Sequence, residues 1–155
     1  LSNHQLIENF YRSFANGDAE GMVSCYSTDV HFRDPAFGDL YGDDAKNMWR
    51  MLVKNSKGNL KISFSDVYAD EKSGSAKWVA VYPFSKTGRI VVNKITANFK
   101  FRDGKIIDHV DYFNLWKWSS QALGLPGYLL GWSAFMKNKI NMQAKAALAK
   151  YHAAE

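Results

Sequence analysis

The chain has 155 residues, enough for one domain with one core, and 46% of them are hydrophobic, which excludes a disordered chain. Its formal net charge is +5, with lysine and arginine interleaved with acids and gathered into no basic stripe. That pattern reads as solubility and excludes a nucleic-acid footprint. Aromatic residues make up 15% of the chain, more than a small core needs, and point to an aromatic-lined cavity or an apolar interface.

The single cysteine, Cys25, has no internal partner for a disulfide and sits in an apolar segment. A reducing compartment and a buried, inert thiol are expected. No apolar run is long enough to span a bilayer, and the start at Leu1 shows no signal-peptide pattern. The expectation is a cytoplasmic protein with no membrane partner and no nucleic-acid partner.

Taken in chain order, residues 3–15 place Leu6, Ile7, Phe10 and Phe14 at helical spacing. Gly17 ends that helix and Asp18 is placed to cap a second, short one, with Met22, Val23 and Tyr26 facing inward. Residues 29–34 then alternate as a strand. Val30, Phe32 and Asp34 share one face, and His31 and Arg33 share the other. Pro35 stops the strand and biases Asp34 toward an extended backbone. Asp43 or Asp44 can cap a third helix carrying Ala45, Met48, Trp49 and Leu52.

Four strand-like segments follow, at about 60–68, 77–84, 90–101 and 106–115. The second puts Trp78, Ala80, Tyr82 and Phe84 on one face; the third does the same with Ile95, Ala97, Phe99 and Phe101. Asp103-Gly104 between the last two is the strongest hairpin signal in the chain. The segment from Trp116 to Trp132 is apolar and broken by Gly124, Pro126, Gly127 and Gly131. A closing helix from about Ser133 carries a stripe of Met136, Ile140, Ala144, Ala147 and Tyr151. The order predicts an α+β fold, with helices gathered on one face of a curved, mostly antiparallel sheet that leaves a cone-shaped pocket. Without repeats or linkers, residues 1–155 are read as a single domain, its core at about 3–115 and a C-terminal helical extension at about 116–155.

Two places carry candidate chemistry. His109, Asp111 and Phe113 share one face of the last strand, neighbours ~6.6 Å apart at a rise of ~3.3 Å per residue. In an aromatic pocket such a pair suits general acid–base work; equally, it is a structural pair that anchors the strand. Asp34 closes an apolar strand and reads either as a proton-transfer group or as a turn-initiating Asp before Pro. The four histidines are scattered and show no metal-ligand spacing. Neither a phosphate-binding glycine loop nor a Gly-x-Ser-x-Gly elbow is present. No metal and no cofactor are expected.

Four pieces of this sequence resemble the nuclear transport factor 2-like superfamily, which includes ketosteroid isomerases, SnoaL-like polyketide cyclases and limonene-epoxide hydrolases. They are Ala15-Asn16-Gly17-Asp18; Tyr26 through Phe32-Arg33-Asp34-Pro35 to Gly38; Gly42 opening the third helix; and Phe101-Arg102-Asp103-Gly104-Lys105-Ile106-Ile107. The tail Gln121-Ala122-Leu123-Gly124 also looks SnoaL-like. The resemblance implies a cystatin-like cone and a homodimer through the outer sheet face.

In ketosteroid isomerase the acid of the Asp-Pro motif is the general base, a role that would fall on Asp34; that enzyme is a standard example of an Asp base beside two oxyanion donors. By ungapped reading those donors fall here at Phe10 and Ala97, which cannot donate, and Tyr11 is expected to point ~100° away on its helix. The inward row Ile95, Ala97, Phe99 lacks the Asp and Arg of an epoxide-hydrolase relay. Both activities are therefore disfavoured. The SnoaL-like cyclases imply an acid on the last strand, here Asp111.

The resulting expectation is cofactor-independent acid–base catalysis of isomerase, cyclase or hydrolase type. The substrate is expected to be a small, apolar, carbonyl- or polyketide-like molecule. Asp111 and Asp34 would transfer protons and His109 would tune them. Phe10, Phe14, Phe32, Trp49, Trp78, Tyr82, Phe99 and Phe113 would shape the pocket. The alternative is a non-catalytic binder of a small hydrophobic ligand or a protein partner.

Overall fold

A computed structural model describes residues 1–131 and 133–155. Helix α1 (Asn3–Ala15) opens on a capping box between Ser2 and Gln5, and α2 (Ala19–Val23) is capped by the Asp18 side chain. Strand β1 (Tyr26–Asp34) turns through Pro35–Phe37 into β2 (Gly38–Tyr41). Helix α3 (Asp43–Ser56) follows, then β3 (Lys61–Ala69), β4 (Ser73–Pro83), β5 (Ile90–Arg102) and β6 (Lys105–Tyr112). The chain closes with α4 (Leu115–Leu123), α5 (Leu125–Leu130) and α6 (Ala134–Ala154).

The six strands form one curved, open sheet in the order β2-β1-β6-β5-β4-β3. Only β1 and β6 run parallel; the other neighbours are antiparallel. This is the expected α+β cone, with corrections in detail. Tyr26 begins β1 instead of ending the second helix, because the Cys25 carbonyl accepts a backbone hydrogen bond from the Ile106 N–H and starts the pairing there. The short strand β2 was not anticipated. It exists because Asp34 folds the chain back, and Asp34 pairs with Gly38 across the turn.

Asp103 and Gly104 both have positive φ, the geometry a two-residue hairpin needs to follow sheet twist. Gly42 is the other glycine that matters. At φ +55° it opens α3, and a Cβ there would lie 3.2 Å from the Thr28 carbonyl oxygen.

The sheet wraps α1 so closely that Leu6, Ile7, Phe10, Tyr11 and Phe14 are all buried. A helix lying in a trough buries a wider stripe than one lying on a plane. Tyr11 therefore points inward beside Phe10, against the sequence expectation.

Helix α6 covers the core with Leu148, and Ala144 and Tyr151 pack against it. Met136 and Ile140 form a smaller cluster with Leu115 of α4. Ala147 of the predicted stripe is exposed, and Leu148 takes the inward position. Trp132, the end of the apolar segment read from the sequence, lies outside the described residues. No helix among the described residues is long and apolar enough to cross a membrane.

Candidate functional site

The inner face of β6 does not alternate simply. A register shift near Lys100–Phe101 lets both Ile106 and His109 face inward, three residues apart. His109 and Asp111 then point together into the cone, both buried. Asp108 stays on the outer face, where it meets His31 at 2.6 Å.

His109 is enclosed. Its ring lies 4.4 Å from Phe99, 5.1 Å from Phe32 and 5.4 Å from Phe10, and it stacks at 15° on Trp49. Both ring nitrogens are engaged by protein. Nδ1 is 2.7 Å from the Tyr26 hydroxyl, and Nε2 is 2.8 Å from Asp111 Oδ1.

The direction of this chain follows from its donors. Trp49 Nε1–H donates to the Tyr26 oxygen at 2.8 Å. Indole nitrogen can only donate, so the Tyr26 oxygen accepts there and its own O–H points at His109 Nδ1. Burial raises the Tyr26 pKa well above its ordinary value, which keeps that proton in place. His109 is thus the neutral tautomer with its proton on Nε2, donating to Asp111. Trp78 Nε1–H donates to the same Asp111 oxygen at 3.3 Å. Trp49, Tyr26, His109, Asp111 and Trp78 form one buried polar chain in an aromatic shell.

Tyr11 adds an uncommitted group. Its hydroxyl is buried and has no hydrogen-bond partner among the described residues. Burial pushes its pKa well above the ordinary value, and the charges of Asp111 and Tyr26 nearby push the same way. A buried phenol left unpaired is costly, and this is the one such side-chain atom among the described residues.

Asp34 sits at the wide end of the cone on the same face as Val30 and Phe32, half-buried. Its Oδ1 accepts from the backbone N–H of Ala36 at 2.9 Å and of Phe37 at 2.6 Å. The turn-capping and proton-transfer readings of this residue therefore meet in one side chain: Oδ1 shapes the turn, and Oδ2 accepts no hydrogen bond among the described residues. Burial pushes its pKa up to about 7; the two turn N–H groups oppose this and the Asp111 carboxylate reinforces it.

The residues foreseen from sequence separate into two sets. Phe10, Phe14, Phe32, Trp49, Trp78 and Phe99 pack on one another around His109 and fill the narrow part of the cone. Tyr82 and Phe113 lie at the wide end. The Tyr82 hydroxyl accepts from Trp118 Nε1 of α4 at 2.7 Å, and its raised pKa, due first to burial, also reflects the Asp34 carboxylate. Phe113 lines an open cleft of about 370 Å³ together with Pro35, Asn114, Leu115, Trp116 and Lys137. Pro35, the residue after Asp34, lines this cleft; Asp34 itself does not.

Tyr11 and Tyr26 are the functional candidates that sequence reading missed. The signal available was their aromatic ring at positions flanking the inward rows. Among the described residues no group of three His, Cys, Asp or Glu side chains could hold a metal ion.

A SnoaL-like domain model matches residues 7–109, from α1 through the strand that carries His109. A candidate polyketide cyclase from Xanthomonas campestris pv. campestris superposes with a TM-score of 0.62 at 23% identity, covering 77% of this chain and 98% of that one. Bal32a, from a soil-derived mobile gene cassette, gives 0.65 at 18% identity, covering 77% and 95%. TerC, co-crystallised with polyporic acid, gives 0.60 at 18% identity, covering 71% and 89%. At these identities the likeness is one of fold. A search of curated proteins returned no match.

Proposed function

The chain belongs to the SnoaL-like domain family of the nuclear transport factor 2-like superfamily, and from that premise we propose cofactor-independent acid–base chemistry on a small, largely apolar, carbonyl- or polyketide-like molecule. The observation that carries this reading is Asp34. Its carboxyl is held through one oxygen, leaves the other without a hydrogen bond among the described residues, is pushed by burial up to about 7, and is followed by Pro35, which lines an apolar-walled cleft. A base poised near the working pH is what proton abstraction next to a carbonyl requires.

Asp111 and His109 play a different part in this reading from the one their spacing suggests. Every nitrogen of His109 is used within the protein, so the pair is a fixed negative floor beneath the site. That floor raises the proton affinity of Asp34 and faces the Tyr11 hydroxyl. The Tyr11 hydroxyl, the buried side-chain donor without a partner among the described residues, would stand in for the donors absent at Phe10 and Ala97 if the aromatic filling opens to admit a substrate oxygen.

The test replaces Asp34 with Asn. Asn Oδ1 still accepts the two turn N–H groups, so the fold is retained. With carbonyl compounds of the aromatic polyketide class, wild type should exchange the proton next to the carbonyl for deuterium, at a rate rising with pH to a plateau above about 7. Asp34→Asn should lower that rate by ~10²–10⁴-fold with no fall in melting temperature. An unchanged rate would remove Asp34 from the chemistry.

A second reading, non-catalytic binding of a small hydrophobic ligand, is favoured by the aromatic filling of the narrow cone. Polyporic acid, with which TerC was co-crystallised, is the first ligand to try. Saturable binding with no exchange in wild type selects this reading. We also propose a homodimer through the outer sheet face, where Tyr41, Ile90, Val92 and Tyr112 are exposed; a monomer at equilibrium in the ultracentrifuge would defeat it.

A further inference from the structure

From Tyr112 to Ala154 the chain contains no acidic residue, while it contains five lysines, Lys117, Lys137, Lys139, Lys145 and Lys150. With Glu155 counted, residues 112–155 carry +4 of the formal +5 of the chain (five lysines less one glutamate). All five lysines are exposed, and among the described residues none enters an ion pair. Arg89 joins them by donating from Nε to the Gln121 carbonyl at the end of α4.

The same helices carry apolar side chains facing solvent. Leu125, Tyr128 and Leu130 of α5 are exposed, Leu125 at 67%, and Phe135 in the first turn of α6 is exposed at 72%. A six-residue helix is ~9 Å long, so the three side chains of α5 lie close together, and Phe135 opens the helix that packs against α5. Along α6 the exposed residues Phe135, Met142, Ala146 and Ala149 recur at intervals of seven, four and three, which keeps them on one side. Lys139 and Lys145 flank that side.

We propose that the α5–α6 corner docks the protein on the surface of an anionic lipid bilayer. Its apolar side chains would enter the headgroup boundary and its lysines would meet lipid phosphates and carboxylates. The charge pattern selects this occupant over a second copy of the chain. A two-fold contact sets a patch against itself, so lysines would face lysines with no acid to relieve them. A polynucleotide would satisfy the lysines and leave Leu125, Leu130 and Phe135 in water. A lipid surface satisfies both, as surface-bound amphipathic helices do. This association lies along the membrane surface and needs no spanning helix.

The experiment is flotation of the full chain with vesicles of phosphatidylcholine alone or mixed with phosphatidylserine. Wild type should float with the mixed vesicles, weakly or not at all with pure phosphatidylcholine, and less as salt rises. The charge-reversing pair Lys139→Glu and Lys145→Glu should weaken binding to mixed vesicles at least ~10-fold. The pair Leu125→Ser and Phe135→Ser should also weaken it, with no change in melting temperature. Equal binding to both vesicle types, or indifference to both variant pairs, overturns the proposal. So does loss of self-association, or of single-stranded polynucleotide binding, in these variants while vesicles are ignored by wild type.

Discussion

Tyr26 makes two hydrogen bonds through a single oxygen, and neither partner has an alternative. Its O–H fixes the His109 tautomer, and its lone pair takes the Trp49 N–H. Tyr26→Phe keeps the ring and deletes both links, leaving an imidazole nitrogen and an indole N–H buried and unpaired. Each such group costs ~1–3 kcal/mol. The expected loss is about 3 kcal/mol in urea unfolding, with the midpoint shifted and the slope unchanged. Asp111→Asn is destabilising for a related reason: the amide oxygen can still accept from Trp78 and His109, but those hydrogen bonds lose their charge and an amide NH₂ is buried where the second carboxylate oxygen was. Asp34→Asn is therefore the cleaner probe of chemistry, and Asp111→Asn a probe of the core. That distinction was hidden in the sequence. Alternation placed His109 and Asp111 on one face, and this was legible. Which atoms their neighbours would spend on them depended on Tyr26 lying 83 residues earlier in the chain.

At the scale of elements, α6 packs across one side of the wide end of the cone and lends Lys137 to the cleft wall. Leu148 reaches the main core, and Asn141 Nδ2 donates to the Ala36 carbonyl at 2.7 Å, tying the helix to the β1–β2 turn. Leu148→Ala should cost ~2–5 kcal/mol, since a helix lying across a gap cannot close fully on a smaller side chain. Hydrogen exchange should accelerate through residues 134–154 before the sheet amides respond. The helix itself was legible from Ser133 and its periodic apolar residues. Its contact face was read one residue early, at Ala147, because a stripe counted from sequence does not know how the helix rolls on the core. Strand β2 escaped for a different reason. Four residues carry too little alternation to register, and its existence rests on the Asp34 turn.

For the molecule as a whole, titration sets a window of stability. Asp29, Asp39, Asp70 and Glu20 are held below their ordinary values, Asp29 and Glu20 chiefly by hydrogen bonds from Arg102 and Arg50, Asp39 by one from His31, and Asp70 by backbone N–H groups. Depressed carboxylates give stability that is lost as pH falls through their folded values. Asp34 and His31 are shifted upward. Burial raises Asp34 to about 7; for His31, hydrogen bonds to Asp108 and Asp39 outweigh burial. Raised groups give stability that is lost as pH rises through their folded values. Thermal unfolding should therefore peak between about pH 4 and pH 6 and decline above. In Asp34→Asn the decline toward pH 7 should be shallower. The helix–helix–sheet order of the cone was legible because Gly17, Gly42 and Asp103-Gly104 punctuate it. The lopsided charge of the last helices was equally visible, but interleaved lysines look balanced until the acids are sought and not found.

The turn at residues 34–38 joins the candidate acid to the last helix. Asp34 caps it from inside, and Ala36 offers its carbonyl to Asn141 of α6 from outside. When Asp34 takes a proton, charge-assisted hydrogen bonds to the Ala36 and Phe37 amides become neutral and weaker. The turn then grips less firmly, and the peptide group that latches the last helix belongs to it. Thermodynamic reciprocity makes the converse hold: whatever presses α6 onto the turn lowers the affinity of Asp34 for its proton. A single tight bend thus couples the acidity of the cleft to the seating of the helix above it.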